Sequence, residues 1–159
     1  MLFRSAIYAQ SAAPVEYDLG ALALLAREHA YAPYSNYRVG AALRSRDGRI
    51  FTGANVENAS YGLAICAERS AVVAAVMAGV RDLAEVAVAT SSSPPVAPCG
   101  MCRQTLAEFS HDLVVLLVND RGERVLSSID ELLPRAFRSD DLLAKAAKAA
   151  KAAKAPETL

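Results

Sequence analysis

Apolar and polar positions along the chain repeat with two different periods, and the changeovers between them mark the elements. Asp18 stands where a helix N-cap would. Leu22, Leu25 and Ala26 recur at helical spacing, predicting a helix from Asp18 to about Ala30 with those three residues facing inward. Ala32-Pro33-Tyr34-Ser35-Asn36 breaks it. Val39, Ala41 and Leu43 then alternate, Asp47-Gly48 offers a turn, and Ile50 and Phe51 resume the apolar pattern, which predicts a β-hairpin. A polar loop follows from Asn55 to Gly62.

A second helix is expected from about Cys66 to Met77, ended by Gly79. Its stretch from Ala71 to Ala78 is apolar on every face, so cover is expected on all sides, part of it from another subunit. Glu85 to Thr90 reads as a strand and Ser91 to Pro98 as a loop rich in Ser and Pro. A helix then runs from near Cys99 to near Ser110, and Leu113 to Val118 has the near-continuous apolar character of a strand covered on both faces. Ser128-Ile129-Asp130-Glu131 has capping-box spacing for a last short helix. Strands alternating with helices predict an α/β sandwich, with helices on both sides of one sheet.

At 159 residues the chain has room for one domain, and 53% apolar with 21% charged residues excludes wholesale disorder. No apolar run approaches the roughly 18 residues of a membrane span, so a soluble protein is expected. Residues 1–17 lack a sustained apolar centre and read as an extension rather than a signal peptide, leaving a domain over residues 18–143. Net charge is zero but unevenly spread. Residues 1–143 hold 13 arginines against 16 carboxylates, or −3, whereas residues 144–159 hold four lysines against Glu157, or +3. The body therefore lacks the basic face of a nucleic-acid module. The Lys-Ala-Ala tail, 144–159, reads as a solvated segment whose sharpest use would be weak, salt-sensitive contact with nucleic acid or another polyanion.

Chemistry is concentrated in three cysteines, Cys66, Cys99 and Cys102. An odd count with one C-x-x-C pair argues against a disulfide framework, and a redox pair would leave Cys66 unexplained. Cys66-Ala67-Glu68 and Pro98-Cys99-Gly100-Met101-Cys102 each open a predicted helix, where free N–H groups and the helix dipole favour thiolate. Two such ends meeting would hold one soft divalent ion, and Zn²⁺ suits three sulfurs best. Three protein ligands leave a catalytic site open to water, unless His29 or His111, the only imidazoles, supplies a fourth. Glu68 is positioned to move protons at such a water; alone it would read as a first-turn glutamate complementing the dipole. Arg69 offsets the thiolate charge, or is a surface arginine.

Cys-x-Glu followed by Pro-Cys-x-x-Cys is the zinc-deaminase signature. Ala30-Tyr31-Ala32-Pro33-Tyr34-Ser35-Asn36, Asn55-Val56-Glu57-Asn58-Ala59-Ser60-Tyr61-Gly62, Cys66-Ala67-Glu68-Arg69 and Pro98-Cys99-Gly100-Met101-Cys102-Arg103-Gln104 together resemble the small homotetrameric cytidine deaminases over residues 18–143. The resemblance implies a three-layer α/β/α sandwich around one mixed sheet, one Zn²⁺ per subunit, and a cytoplasmic homotetramer with shared active sites in pyrimidine salvage. It implies hydrolysis of cytidine or 2′-deoxycytidine to the uridine and ammonia. Zinc-bound hydroxide would attack C4 while Glu68 shuttles protons to N3 and to the leaving amino group. It also implies ribose binding by Asn55 and Glu57, which by themselves read as loop polars, with backbone near Ala67 and Tyr61, the latter partly from a neighbouring subunit. Tyr37-Arg38-Val39-Gly40 departs from the family's Phe-Pro-Val-Gly; Tyr37 would stack on the pyrimidine through its ring face. Phe137 either reaches into a neighbour's site or packs as a core residue.

Blasticidin-type deaminases share the cysteine motifs but differ in the loop before the first cysteine, and guanine or tRNA-adenosine deaminases more usually open with His. A zinc-stapled binding module is disfavoured by Glu68 and the three-ligand count. Nucleic-acid editing is motivated by the tail alone. Deleting residues 144–159 is expected to leave the steady-state kinetics of cytidine deamination unchanged. A large rise in KM on deletion would show that the tail reaches the site.

Overall fold

Asp18 opens the first helix, α1 (Leu19–Arg27), by accepting the Gly20 N–H at 3.0 Å. The buried stripe of α1 is Leu19, Gly20, Ala23 and Ala26, and Leu25 is 65% exposed. The predicted inward face is therefore rotated: Leu22 is half-buried and Leu25 faces outward. The cause is the need for small residues against the sheet. A methyl group on Gly40 would come within 2.1 Å of the Ala23 carbonyl oxygen, so the helix backbone rests directly on the first strand. The computed structural model describes residues 17–142. The lysine tail and nearly all of the N-terminal extension lie outside the described residues.

The predicted hairpin is β1 (Gly40–Ser45) and β2 (Ile50–Ala54), turned at Gly48 with φ of +86°. The second long helix is α2 (Ala67–Met77), followed by β3 (Leu83–Thr90) and α3 (Gly100–Phe109). β4 (Val114–Asn119) follows, then β5 (Arg124–Ser128) and α4 (Ile129–Leu132). The sheet order is β2-β1-β3-β4-β5. Only the β3–β4 pair is parallel, with α3 as the crossover between them. β5 has no counterpart in the sequence reading. It is an edge strand whose Val125 and Leu126 are both exposed, so it lacks the one-sided alternation that would have marked it. Ser128 and Glu131 form the predicted reciprocal capping box on α4.

Alternation along the strands divides the core in two. Leu43, Val86, Val88, Val115 and Leu117 pack under α2, α3 and α4. Ala42, Ala87, Ala89 and Val118 face the opposite way, under α1. The result is the expected three-layer α/β/α sandwich around a mixed sheet.

The outer side of α2 is where the sequence predicts cover from another subunit. Ala67, Glu68, Ala71, Val72 and Ala75 are buried, but Val73 is 61% and Met77 83% exposed, so within one chain the helix is not covered all round. Its inner side is fixed by Gly53. A methyl group there would come within 2.4 Å of the Ala71 nitrogen and 2.5 Å of the Ala67 oxygen. Helix backbone thus lies on strand backbone at the first turn of α2, where Cys66 and Glu68 stand. Gly53→Ala is expected to destabilise the fold by about 1–3 kcal/mol, the range for overpacking. A fall in Tm in calorimetry checks this, and an unchanged Tm would contradict the close approach.

Candidate metal centre and its cavity

Cys66 is the N-cap of α2 and Cys99 the N-cap of α3, both with extended backbone. Neither side chain caps its own helix, which leaves both sulfurs free to turn toward each other. Cys102, fully buried in the first turn of α3, completes the group. The three Sγ atoms lie within 4.8 Å of one another, with Cys66 and Cys99 3.9 Å apart. Tetrahedral Zn²⁺ with bonds of about 2.3 Å places its sulfurs about 3.8 Å apart. Among the described residues no histidine joins this group, and His29 and His111 are both exposed. The donor set is therefore three thiols.

Charge around the sulfurs also fits a dication. Hydrogen bonds from Cys102, Arg69 and Cys99 outweigh burial and bring the Cys66 thiol down to about 5. The same contact with Cys66, together with burial, pushes Cys102 upward. Unaided, Cys66 thus ionises readily while Cys102 resists, and a divalent cation beside them would favour the thiolate form. Arg69 Nη2 donates to Cys66 Sγ at 3.6 Å and to the Ala64 carbonyl at 3.0 Å. Its Nε is buried without a partner, a cation held beside the sulfurs at a cost that their negative charge offsets.

Glu68, 4% exposed, sits in the first turn of α2 and lines the same cavity as Cys66 and Cys99. Burial, reinforced by the Cys66 charge, raises its carboxyl above the ordinary glutamate value. A carboxyl raised in this way holds a proton more readily than an ordinary glutamate and can return it.

The cavity has a volume of about 290 Å³. Its apolar walls include Val39, Val88 and Val96, and Tyr37, Asn55 and Glu57 also line it. Asn55 bridges the neighbouring loop: its Nδ2 donates to the Tyr37 carbonyl at 2.9 Å and its Oδ1 accepts the Val39 N–H at 2.8 Å. Glu57 accepts the Ser35 hydroxyl and the N–H groups of Tyr34 and Ser35 at 2.8 and 3.3 Å. These bonds, the Ser35 hydroxyl foremost, hold its carboxyl below the ordinary glutamate value, so it is an anion.

Ala67 is fully buried as the first residue of α2 and does not line the cavity. Tyr61 and Phe137 do not line this cavity. Tyr61 packs edge-on against Tyr34 with ring centres 6.1 Å apart, in an adjoining hollow of about 350 Å³ that shares Ser35 and Glu57. Phe137 is 57% exposed, so it is not a core residue of this chain, and its carbonyl accepts Gln104 Nε2 at 2.7 Å.

Sequence reasoning missed Ser35, Thr90 and Arg103. Thr90, 2% exposed, ends β3 on the cavity wall, and a buried polar residue at a strand end was the available signal. Arg103 donates to the Pro98 carbonyl at 2.7 Å and the Leu132 carbonyl at 2.8 Å, tying the approach to Cys99 to α4.

Fold and metal site together define a zinc-dependent deaminase of the α/β/α type. Residues 16–118 match the family model for the cytidine and deoxycytidylate deaminase zinc-binding region. A cytidine deaminase from Halalkalibacterium halodurans is 49% identical over 121 residues, covering 76% of this chain and 92% of its own length. A probable cytidine deaminase from Dictyostelium discoideum is 46% identical, covering 76% and 82%. Among solved structures, cytidine deaminase from Burkholderia pseudomallei aligns with a TM-score of 0.73 at 51% identity, covering 75% of this chain and 96% of its own. The Mycobacterium tuberculosis enzyme aligns at 0.66 and 39%, covering 75% and 94%. The chain belongs to the cytidine deaminase family.

One zinc per chain is expected by elemental analysis of the purified protein. Arg69→Gln should weaken zinc affinity by about 10–100-fold, the usual effect of losing a group that supports the ligands. Competition with a chromophoric chelator reads this, and unchanged affinity would remove Arg69 from the metal site.

Proposed function

We propose that this protein hydrolyses cytidine and 2′-deoxycytidine to uridine and 2′-deoxyuridine with release of ammonia, in pyrimidine salvage. The observation that carries this reading is a single cavity that joins a buried, proton-accepting Glu68 beside three sulfurs to an ionised Glu57. Cys66, Cys99 and Cys102 would hold the Zn²⁺. When bound there, the ion acts as a Lewis acid that brings the pKa of a water down to about 7.

Glu68 takes a proton from the attacking water and delivers it to ring N3 as the water oxygen bonds to C4. It then carries a proton to the exocyclic nitrogen, which leaves as ammonia. Atoms balance: water supplies the new carbonyl oxygen and the protons that the base and amine require. Arg69 holds the sulfur charge in check. Tyr37 offers a ring face to the pyrimidine, and backbone at Ala67 borders it. Glu57 accepts the ribose hydroxyls, and Asn55, with one N–H left after bonding Tyr37, contacts the same sugar.

The working unit in this reading is a cytoplasmic homotetramer with shared active sites. Its support is the exposure of Tyr61, Phe137, Val73 and Met77, which a neighbouring copy would cover. Tyr61 and Phe137 then complete cavities across subunit boundaries. No described helix is long and apolar enough to cross a membrane. The proposed polyanion contact of residues 144–159 falls outside the described residues and plays no part in the chemistry.

Uridine formation from cytidine, with cytosine and blasticidin S in parallel, tests the reading. Turnover of cytidine alone supports both reaction and sugar pocket; turnover of blasticidin S alone would remove the sugar pocket. Glu68→Ala should retain zinc and lose activity by about 10²–10⁴-fold. A variant with substantial activity would end the proton-transfer role. Glu57→Ala should act chiefly on KM, seen in initial rates over a cytidine range.

A further inference from the structure

In the loop before β1, Tyr37 is followed by Arg38, so no proline ring restricts either residue. Other bonds hold Tyr37 in place. Its N–H donates to Ser35 Oγ at 2.9 Å and its carbonyl accepts Asn55 Nδ2 at 2.9 Å. Its hydroxyl, which a phenylalanine lacks, lies 2.8 Å from Ser92 Oγ.

Ser92 is a firmly seated partner. Its N–H donates to Thr90 Oγ1 at 3.3 Å and its carbonyl accepts Asn119 Nδ2 at 2.9 Å. Asn119, 1% exposed, donates also to Glu123 Oε2 at 2.7 Å, and its Oδ1 accepts the N–H groups of Arg121 and Glu123, each at 3.0 Å. Glu123 in turn accepts the Ser93 hydroxyl at 2.8 Å. Hydrogen bonds therefore run without a gap from Glu57 through Ser35, Tyr37, Ser92 and Asn119 to Glu123, joining the loop before β1 to the loop after β3. Both loops line the cavity.

We propose that the Tyr37–Ser92 hydroxyl bond is a clasp that fixes the aromatic wall of the nucleoside cavity, with Ser92 and Asn119 as positioning residues. The inference rests on the proposed nucleoside reading. The bond ties two loops of the free protein, so it acts by organising the wall before substrate arrives. It engages no reacting atom, so its effect falls on KM and leaves kcat alone. Tyr37 keeps its ring face for the pyrimidine because its polar end is occupied elsewhere.

The test compares the zinc-loaded wild type with Tyr37→Phe, Ser92→Ala, the double variant and Ser92→Thr. Tyr37→Phe and Ser92→Ala should each raise KM for cytidine by about two- to tenfold, the equivalent of one neutral hydrogen bond, at unchanged kcat. The double variant should lose no more than either single one, and Ser92→Thr should restore a near-wild-type KM. Hydrogen exchange over residues 91–98 should quicken in both single variants, a readout that needs no turnover. Unchanged KM and exchange in the variants, losses that add in the double variant, or a fall in kcat instead would overturn the clasp. A zinc-loaded wild type inert toward cytidine would overturn the nucleoside reading, a result the exchange measurement keeps distinct from failure of the clasp.

Discussion

Backbone resting on backbone at Gly53 is the constraint on which the rest of this structure depends. A side chain there would lift the first turn of α2 from the sheet, because even a methyl group meets Ala67 and Ala71 main-chain atoms within about 2.5 Å. With α2 seated, its N-terminus brings Cys66 to within 3.9 Å of Cys99 at the N-terminus of α3. Two helix starts, each with unsatisfied N–H groups and a positive dipole end, then face one small volume. A thiolate at Cys66 is favoured there, and the same turn of α2 buries Glu68 beside it. In the proposed reading, proton transfer and metal binding thus share one packing contact.

Electrostatics within that volume are balanced closely. Cys66, Cys99 and the Glu68 carboxyl line one cavity with Cys102 buried beside them, and Arg69 donates to the Cys66 sulfur. Burial raises Glu68, whereas hydrogen bonds lower Glu57 at another part of the cavity lining. Two carboxyls lining one cavity are therefore tuned in opposite directions. In the proposed reading, the first exchanges protons and the second accepts hydroxyls. That division of labour suits a substrate with a reactive ring and a polyhydroxylated sugar.

Much of this was legible in the sequence because the informative residues are chemically rare or locally determined. Cysteines at helix starts, the Asp47-Gly48 turn and the Ser128–Glu131 box each announce themselves through chemistry that acts over a few residues. What escaped notice depends on contacts distant in sequence. Leu25 was misplaced because the apolar stripe of α1 offers two registers, and only Gly40 against Ala23 decides between them. β5 escaped because an edge strand with two exposed apolar residues carries no period-two signal. Ser35, Thr90 and Arg103 became visible only when folding placed them beside Glu57, the cavity wall and Pro98. The outer face of α2, where the sequence predicts cover from another subunit, is open in the single chain.

Cys66, Cys99 and Cys102 would hold the metal through three sulfurs and leave one position for water. X-ray absorption at the zinc edge of the purified, unliganded protein tests it most directly. Three sulfur scatterers near 2.3 Å and a single oxygen near 2.0–2.2 Å are expected. A fourth protein ligand, whether a fourth sulfur or an imidazole nitrogen with its outer-shell scattering, would close the site and contradict the account.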